Sequence, residues 1–316
     1  MAFGSHPVAA AAKKRATVLY RVLGLNWQSE IAFPELQEVP SLPPQHEPSD
    51  IVQIRVGSVP EALPGETRLS PWIAFEGRTC LYTIPEVGRM LVEDGRRITV
   101  DKESVAELSD LRTYLLGTGL GTVIHQRGKV PLHVGAVLSP QGVIAFTGES
   151  GAGKSTIVAE IGARLGWPVV GDDLAVLTLD AGRPMLEGGV RRLRLWADAL
   201  DRLGWSKDGL VRDTQRADKF VSYAHGRFID GPHPLVALYE IRPDAPEAAP
   251  VKLHGAQKFT TLLGAIYRPY LVQMCNTRKV VHNTCIITSQ RIACWQGGRP
   301  DLASVTVLLD QAAKSC

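Results

Sequence analysis

Alternation and helical spacing divide the chain before any motif is consulted. From Ile51 to Val100 apolar and polar residues alternate in short runs, and residues 89–93 and 96–100 flank Asp94-Gly95, which predicts a β-hairpin. Val105, Leu108, Leu111 and Leu115 then fall on one helical face behind a Ser104/Glu107 capping-box pattern, so a helix should lead out of this β-rich half. Residues 130–138 read as a strand, Ser139-Pro140-Gln141-Gly142 as a tight turn, and residues 142–147 as a buried strand. Ile157, Val158, Ile161 and Leu165 share a helical face. Trp167-Pro168-Val169-Val170 reads as a short strand, residues 174–179 continue extended, and Ala303, Val307, Leu308 and Ala312 mark a closing packing helix. Strand and helix alternating in this way predict an α/β domain.

The start of the chain reads differently. Residues 1–30 suggest a helical or loosely ordered arm, and Pro34, Pro40, Pro43, Pro44 and Pro48 suggest a linker or extended wrap, because proline cannot pair continuously in a helix or sheet. The expected organisation is therefore an arm and Pro-rich linker over 1–50, a β-rich α+β domain with a helical connector over 51–128, and an α/β catalytic domain over 129–316.

Composition narrows the function classes. A chain of 316 residues with 45% hydrophobic and 21% charged residues is ordinary for a globular protein of about two domains. A net charge of +3 without a Lys/Arg block gives no nucleic-acid footprint. The five cysteines, Cys80, Cys275, Cys285, Cys294 and Cys316, form no C-x-x-C pair, which suits free thiols in a reducing compartment. Lys13-Lys14-Arg15 follow the early alanines, the reverse of a signal peptide, and no apolar run approaches the ~18 residues of a membrane span. A cytoplasmic protein without membrane contact is expected.

The chemistry centres on residues 148–155, Gly148-Glu149-Ser150-Gly151-Ala152-Gly153-Lys154-Ser155, a full match to G-x-x-x-x-G-K-[ST]. Glycines let the backbone wrap a phosphate with N–H groups inward, Lys154 adds a point charge, and the Ser155 hydroxyl suits magnesium; Thr156 completes the nucleotide-binding run. A two-residue turn pairing Ser139 with Gly142 would bring His133 opposite Gly148, beside the phosphates; the alternative is a strand histidine satisfied by backbone. Asp172 and Asp173 follow a strand end, where α/β sheets bind ligands, but adjacent strand residues face opposite ways, so joint action requires irregular backbone, expected at Gly171. Arg191, Arg192, Arg194, Arg212, Arg216, Lys219 and Arg227 are either a solvated face or cations for a transferring phosphoryl group, Arg194 first among them; residues 211–230 are the candidate mobile substrate loop.

His133, the 148–155 loop and Asp172-Asp173, in this order and spacing, resemble the catalytic domain of the HPr kinase/phosphorylase family. The run ending in Arg194-Leu195-Trp196 is similar to HPr-kinase-like proteins that include precursor-peptide kinases of lasso-peptide gene clusters. The clear match spans roughly residues 130–180. The resemblance implies a P-loop domain of the HPr kinase/PEP carboxykinase type and transfer of the γ-phosphoryl group of ATP to a serine hydroxyl of a peptide or protein, with Mg2+. It further implies that Lys154 binds β and γ phosphates, Ser155 and Asp173 serve the metal, Asp172 is the base and His133 assists; the two aspartates are assigned by order alone. Thr156 stands where the family usually has an acidic residue, and no E-[IV]-R-G-L-G-[IL] segment is found, which weighs against phosphorolysis, an HPr substrate and a hexamer. A homo-oligomer stays compatible. A GTPase-like switch lacks its N-K-x-D motif and an ABC-type ATPase its L-S-G-G-Q; a small-molecule kinase or nucleotide-gated binding module is the alternative reading.

Overall fold

The structure is a computed structural model that describes residues 16–41, 50–213, 216–223 and 225–314. Its first sheet begins earlier than expected. Val18–Val22 and Leu25–Ser29 form a hairpin whose two turn residues, Leu23 and Gly24, both have positive φ, the twist-matched geometry for a two-residue connection. Tyr20, Val22, Leu25 and Trp27 point into the core, and Phe33 packs edge-on against both Tyr20 and Trp27. The expectation of an arm and linker over 1–50 is therefore corrected for residues 18–38, which are sheet and core; residues 1–15 and 42–49, with Pro43, Pro44 and Pro48, lie outside the described residues.

Nine strands make this sheet, from Gln37–Glu38 at one edge through the opening hairpin, Ile51–Val56, Arg97–Lys102, Gly88–Glu93, Thr79–Ile84 and Ile73–Glu76 to Thr67–Ser70. The hairpin around Asp94-Gly95 forms as expected, both residues taking positive φ.

The connector helix runs Leu108–Tyr114, so Ser104 and Val105 fall outside it, and its N-cap Glu107 makes no side-chain cap bond. It continues through a π-helical turn, Leu115–Gly119, into Leu120–Gln126, and every residue of these last two pieces is buried. A fully buried helix must satisfy its polar groups internally. Gln126 does so by accepting from the Gly95 amide (2.6 Å) and donating to the Arg78 carbonyl (2.7 Å), while Thr122 bonds the Tyr82 hydroxyl (2.7 Å). On its far side His125 Nε2 meets the Tyr267 carbonyl (2.9 Å).

The second sheet carries the site. Gly142–Thr147, buried at every position, pairs antiparallel with Gly135–Ser139 and parallel with Pro232–Ile241, which in turn pairs parallel with Ala293–Gly297. Ile157, Val158 and Ile161 of the helix Lys154–Leu165 enter the core on this sheet. The closing helix, Leu302–Ala313, joins the same core through Val305, Leu308, Leu309 and Ala312, leaving Val307 exposed. A three-stranded sheet of Leu193–Trp196, Arg216–Ser222 and Val211–Asp213 stands beside it. The chain is thus a mixed α/β fold with several sheets, and among the described residues no helix is long and apolar enough to cross a membrane.

Gly121 sets how closely the connector approaches the site-bearing half: a Cβ there would come within 2.9 Å of the Tyr267 ring. Gly121→Ala is expected to destabilise the fold by about 1–3 kcal/mol through overpacking, read as a lower urea midpoint; an unchanged midpoint would show that the Tyr267 wall yields freely.

Candidate active site

The strand Gly142–Thr147 empties into the glycine loop, and the loop into the helix Lys154–Leu165, giving the strand–loop–helix context the motif requires. Gly148 has φ +138°, and a Cβ there would lie 2.5 Å from the Ile241 carbonyl oxygen, so only glycine fits the turn out of the strand. Gly153, at φ +100°, is the N-cap and supplies no side-chain cap, so the first helical amides carry their partial positive charge toward the pocket. Lys154 is 7% exposed, and its Nζ donates to the carbonyls of Gly148 (2.7 Å) and Glu149 (2.9 Å). Burial lowers the Lys154 pKa, while Asp173 and Asp172 act to raise it. Of the expected nucleotide-binding residues, Ser150, Gly151, Gly153, Lys154, Ser155 and Thr156 line the pocket; Gly148, Glu149 and Ala152 shape the loop behind it.

His133 reaches the site by another route than a continuous strand. Gly135–Ser139 pairs with Gly142–Thr147 in the expected register, Ser139 opposite Gly142, but the ladder stops at Gly135, and Val130–Leu132 pairs instead with Ala175–Asp180. The expected strand over 130–138 is therefore two strands. At the break, the His133 amide donates to Ala265 O (2.7 Å) and its carbonyl accepts from Thr147 Oγ1 (3.4 Å). The ring turns to the acid pair, with Nδ1 3.0 Å from Asp173 O and 3.3 Å from Asp173 Oδ1.

Asp172 and Asp173 follow the strand Val169–Gly171. The backbone is irregular at Gly171 as expected, where the pairing with Ala136 and Val137 shifts register between Val169 and Gly171, and again at Asp173, at φ +83°. Asp172, 4% exposed, accepts from the Arg194 amide (2.9 Å) and from the Ser155 hydroxyl. Burial raises its pKa, the two hydrogen bonds oppose that, and neighbouring Asp173 adds to it. Burial would also raise Asp173, but His133, Arg194, Arg192 and Lys219 outweigh it and hold that carboxyl below its ordinary value. The Asp173–Arg194 contact is long, 3.7 Å from Oδ2 to Nη1.

Within the candidate substrate loop over 211–230, Val211–Asp213 and Arg216–Ser222 are strand rather than loop, the latter the middle strand of the three-stranded sheet. Lys219 lies across from Trp196 with Nζ 5.6 Å from its ring, and both line the pocket with Arg194. The opposite wall, Tyr267 and Arg268, was not foreseen. Its signal was faint: an arginine between two tyrosines and before Pro269, at φ +49°.

The whole cavity measures about 410 Å³. Among the described residues no group of three or more His, Cys, Asp or Glu side chains is arranged to hold a metal by itself. The Ser155 hydroxyl beside two carboxylates nevertheless fits magnesium, a hard cation that retains waters and takes further oxygens from substrate phosphates.

No protein-family model and no curated protein matches this chain. Among solved structures, an Hpr(Ser) kinase/phosphatase from Coxiella burnetii aligns over 58% of this chain and 94% of that one, with 11% identity and a TM-score of 0.27. So loose an overlap carries no argument, and the reading of the site rests on its own geometry.

The charges around Asp173 make a direct test. Arg194→Met should raise the pH at which Asp173 protonates, followed through carboxyl-carbon NMR shifts; an unmoved midpoint would mean that the 3.7 Å contact contributes nothing in solution.

Proposed function

We propose that this chain is an ATP-dependent, magnesium-requiring kinase that phosphorylates a serine hydroxyl on a peptide or protein. One observation carries the reading: the glycine loop with Lys154 and Ser155, the acid pair Asp172-Asp173, His133 and Arg194 all line one pocket. A phosphate site alone would serve any nucleotide binder. Carboxylates and cations converging on its open side add what phosphoryl transfer requires, a proton acceptor and stabilisation of spreading charge.

In this reading the loop amides and Lys154 hold the β and γ phosphates, Lys154 exchanging the Gly148 and Glu149 carbonyls for phosphate oxygens. Magnesium, when bound, supplies charge neutralisation between those phosphates. The hydrogen bond from Ser155 to Asp172 favours exchanging the two roles expected from order: Asp172 belongs beside the metal position, and Asp173, nearer His133 and less deeply buried, is the base. Asp173 takes the acceptor proton as the serine oxygen–phosphorus bond forms and the bond to the β-phosphate oxygen breaks, releasing ADP. His133 fixes Asp173 through its carbonyl and carboxylate, and Arg194 and Lys219 face the transferring group. A small precursor peptide, of the lasso class suggested by the sequence resemblance, is the acceptor we favour.

Intact-mass measurement of serine peptides with ATP and magnesium tests the reading directly; no peptide gaining a phosphoryl group across a broad panel would overturn it. Lys154→Ala should weaken nucleotide affinity and lower turnover by about 10²–10³, since it removes a phosphate contact and transition-state charge together; intact affinity in a nucleotide titration would contradict the phosphate role. Asp173→Asn should cost ~10²–10⁴ in kcat at an unchanged magnesium requirement, whereas Asp172→Asn should chiefly raise the magnesium concentration needed. The reverse pattern would restore the order-based assignment.

A further inference from the structure

A second cavity, of about 170 Å³, adjoins the candidate active site, and Arg194 lines both. Four arginines wall it: Arg112 from the connector helix, Arg192 and Arg194 from the approach to and start of Leu193–Trp196, and Arg212 from Val211–Asp213. Against these four guanidinium groups the described lining offers one carboxylate, Glu35. Glu35 is itself engaged, with Oε1 3.3 Å from Arg112 Nε and 3.3 Å from the Tyr223 hydroxyl. Arg194 is directed to Asp173 on the other side of the wall. Arg192 shares Asp173, at longer range, with His133, Arg194 and Lys219; it is 5% exposed, and its Nε is buried with no hydrogen-bond partner among the described residues.

A buried guanidinium with an unpartnered N–H and only a shared counter-charge is unfavourable, and a cavity beside it large enough for a small anion is where a further negative charge belongs. Planar forks of N–H donors select carboxylate and phosphate oxygens. The nucleotide phosphates are not this anion, because Lys154 and the loop amides serve them from the opposite wall. The cavity shares Arg194 with the candidate active site, and Glu35 and Arg112 bring the N-terminal half of the chain to it.

We infer that the Arg112–Arg192 cavity is an acceptor-recognition subsite, which seats an acidic side chain of the substrate peptide close to the serine that is phosphorylated. This inference rests on the kinase reading for the identity of the peptide, and it assigns the N-terminal half a share in substrate selection.

The test is equilibrium binding of fluorescent serine peptides in which one glutamate is walked through the positions flanking the serine, each beside its glutamine twin, to protein saturated with a non-hydrolysable ATP analogue. At one position the glutamate peptide should bind at least about tenfold more tightly than its twin. That preference should vanish in Arg192→Gln and fall by about half or more in Arg212→Gln, whose exposed side chain is safe to replace, while affinity for the ATP analogue stays unchanged. Equal binding of all twins by the wild-type protein, or a preference that survives both substitutions, would overturn the inference. Inorganic phosphate is the control for a free anion: competition with the glutamate peptide that depends on Arg192 supports the shared site, whereas Arg192-dependent phosphate binding with no peptide preference makes a free anion the occupant and overturns it. Transfer is measured in parallel by mass. An Arg192-dependent glutamate preference without phosphorylation of any peptide would sink the kinase reading and leave the subsite standing.

Discussion

The left-handed backbone at Asp173 is the constraint on which the site depends. Two consecutive residues leaving a strand would send their carboxylates to opposite faces, one toward the glycine loop and one into the core. At φ +83° Asp173 turns back, and both acids meet the same pocket. Aspartate tolerates this conformation better than most side chains, yet it persists only where surroundings over-determine it. They do so here from two directions. The His133 ring holds the Asp173 carbonyl as well as its carboxylate, and Arg194 gives its amide to Asp172 and its guanidinium to Asp173. The break between Val130–Leu132 and Gly135–Ser139 goes with this arrangement: there the His133 amide turns to Ala265 O and its ring meets the Asp173 carbonyl.

The same holding network explains an electrostatic asymmetry between chemically identical neighbours. Asp172 is buried and Asp173 half-buried, and burial alone would raise both. Asp173 lies among His133, Arg194, Arg192 and Lys219 and stays low; Asp172 has backbone and hydroxyl donors, with Asp173 itself as an adverse neighbour, and goes up. Lys154 completes the picture by resting on two loop carbonyls, hydrogen-bonded yet without a directly paired carboxylate. Such a lysine loses little by moving to an incoming phosphate, because it exchanges neutral acceptors for charged ones.

What could be read from sequence was what local chemistry decides. The glycine loop, the helix behind it and the Ser139–Gly142 register follow from glycine, periodicity and turn residues alone, and each stands in the structure where expected. The opening hairpin was hidden because its turn is Leu23-Gly24, where leucine adopts a conformation usually given to asparagine or glycine, so prolines further on dominated the reading. The connector's start was misplaced because a capping-box pattern at Ser104/Glu107 is only a local preference, and burial of Leu111, Leu115 and Leu116 against the first sheet decided where the helix runs. Arg268 and Tyr267 were out of reach for a different reason. They sit more than one hundred residues after the glycine loop in sequence, and backbone pairing of Ala265, Ile266 and Tyr267 with residues 131–133 brings them to it.

The connector's approach at Gly121 bears on what the N-terminal half is. The core that covers the first sheet does not end at the connector; it includes Leu174 and Val176, directly after the acid pair, and Tyr267, Leu271 and Met274 from the far wall. Without the first sheet these side chains would face water, and the strand that begins two residues after Asp173 would lose one of its covered sides. That core joins the first sheet to one face of the second half, while the rest of the second half packs in cores of its own. The geometry of Asp173 is thus supported from behind by residues that only the N-terminal half can cover. The first sheet carries no glycine-loop residue and yet covers the strand that follows the acid pair.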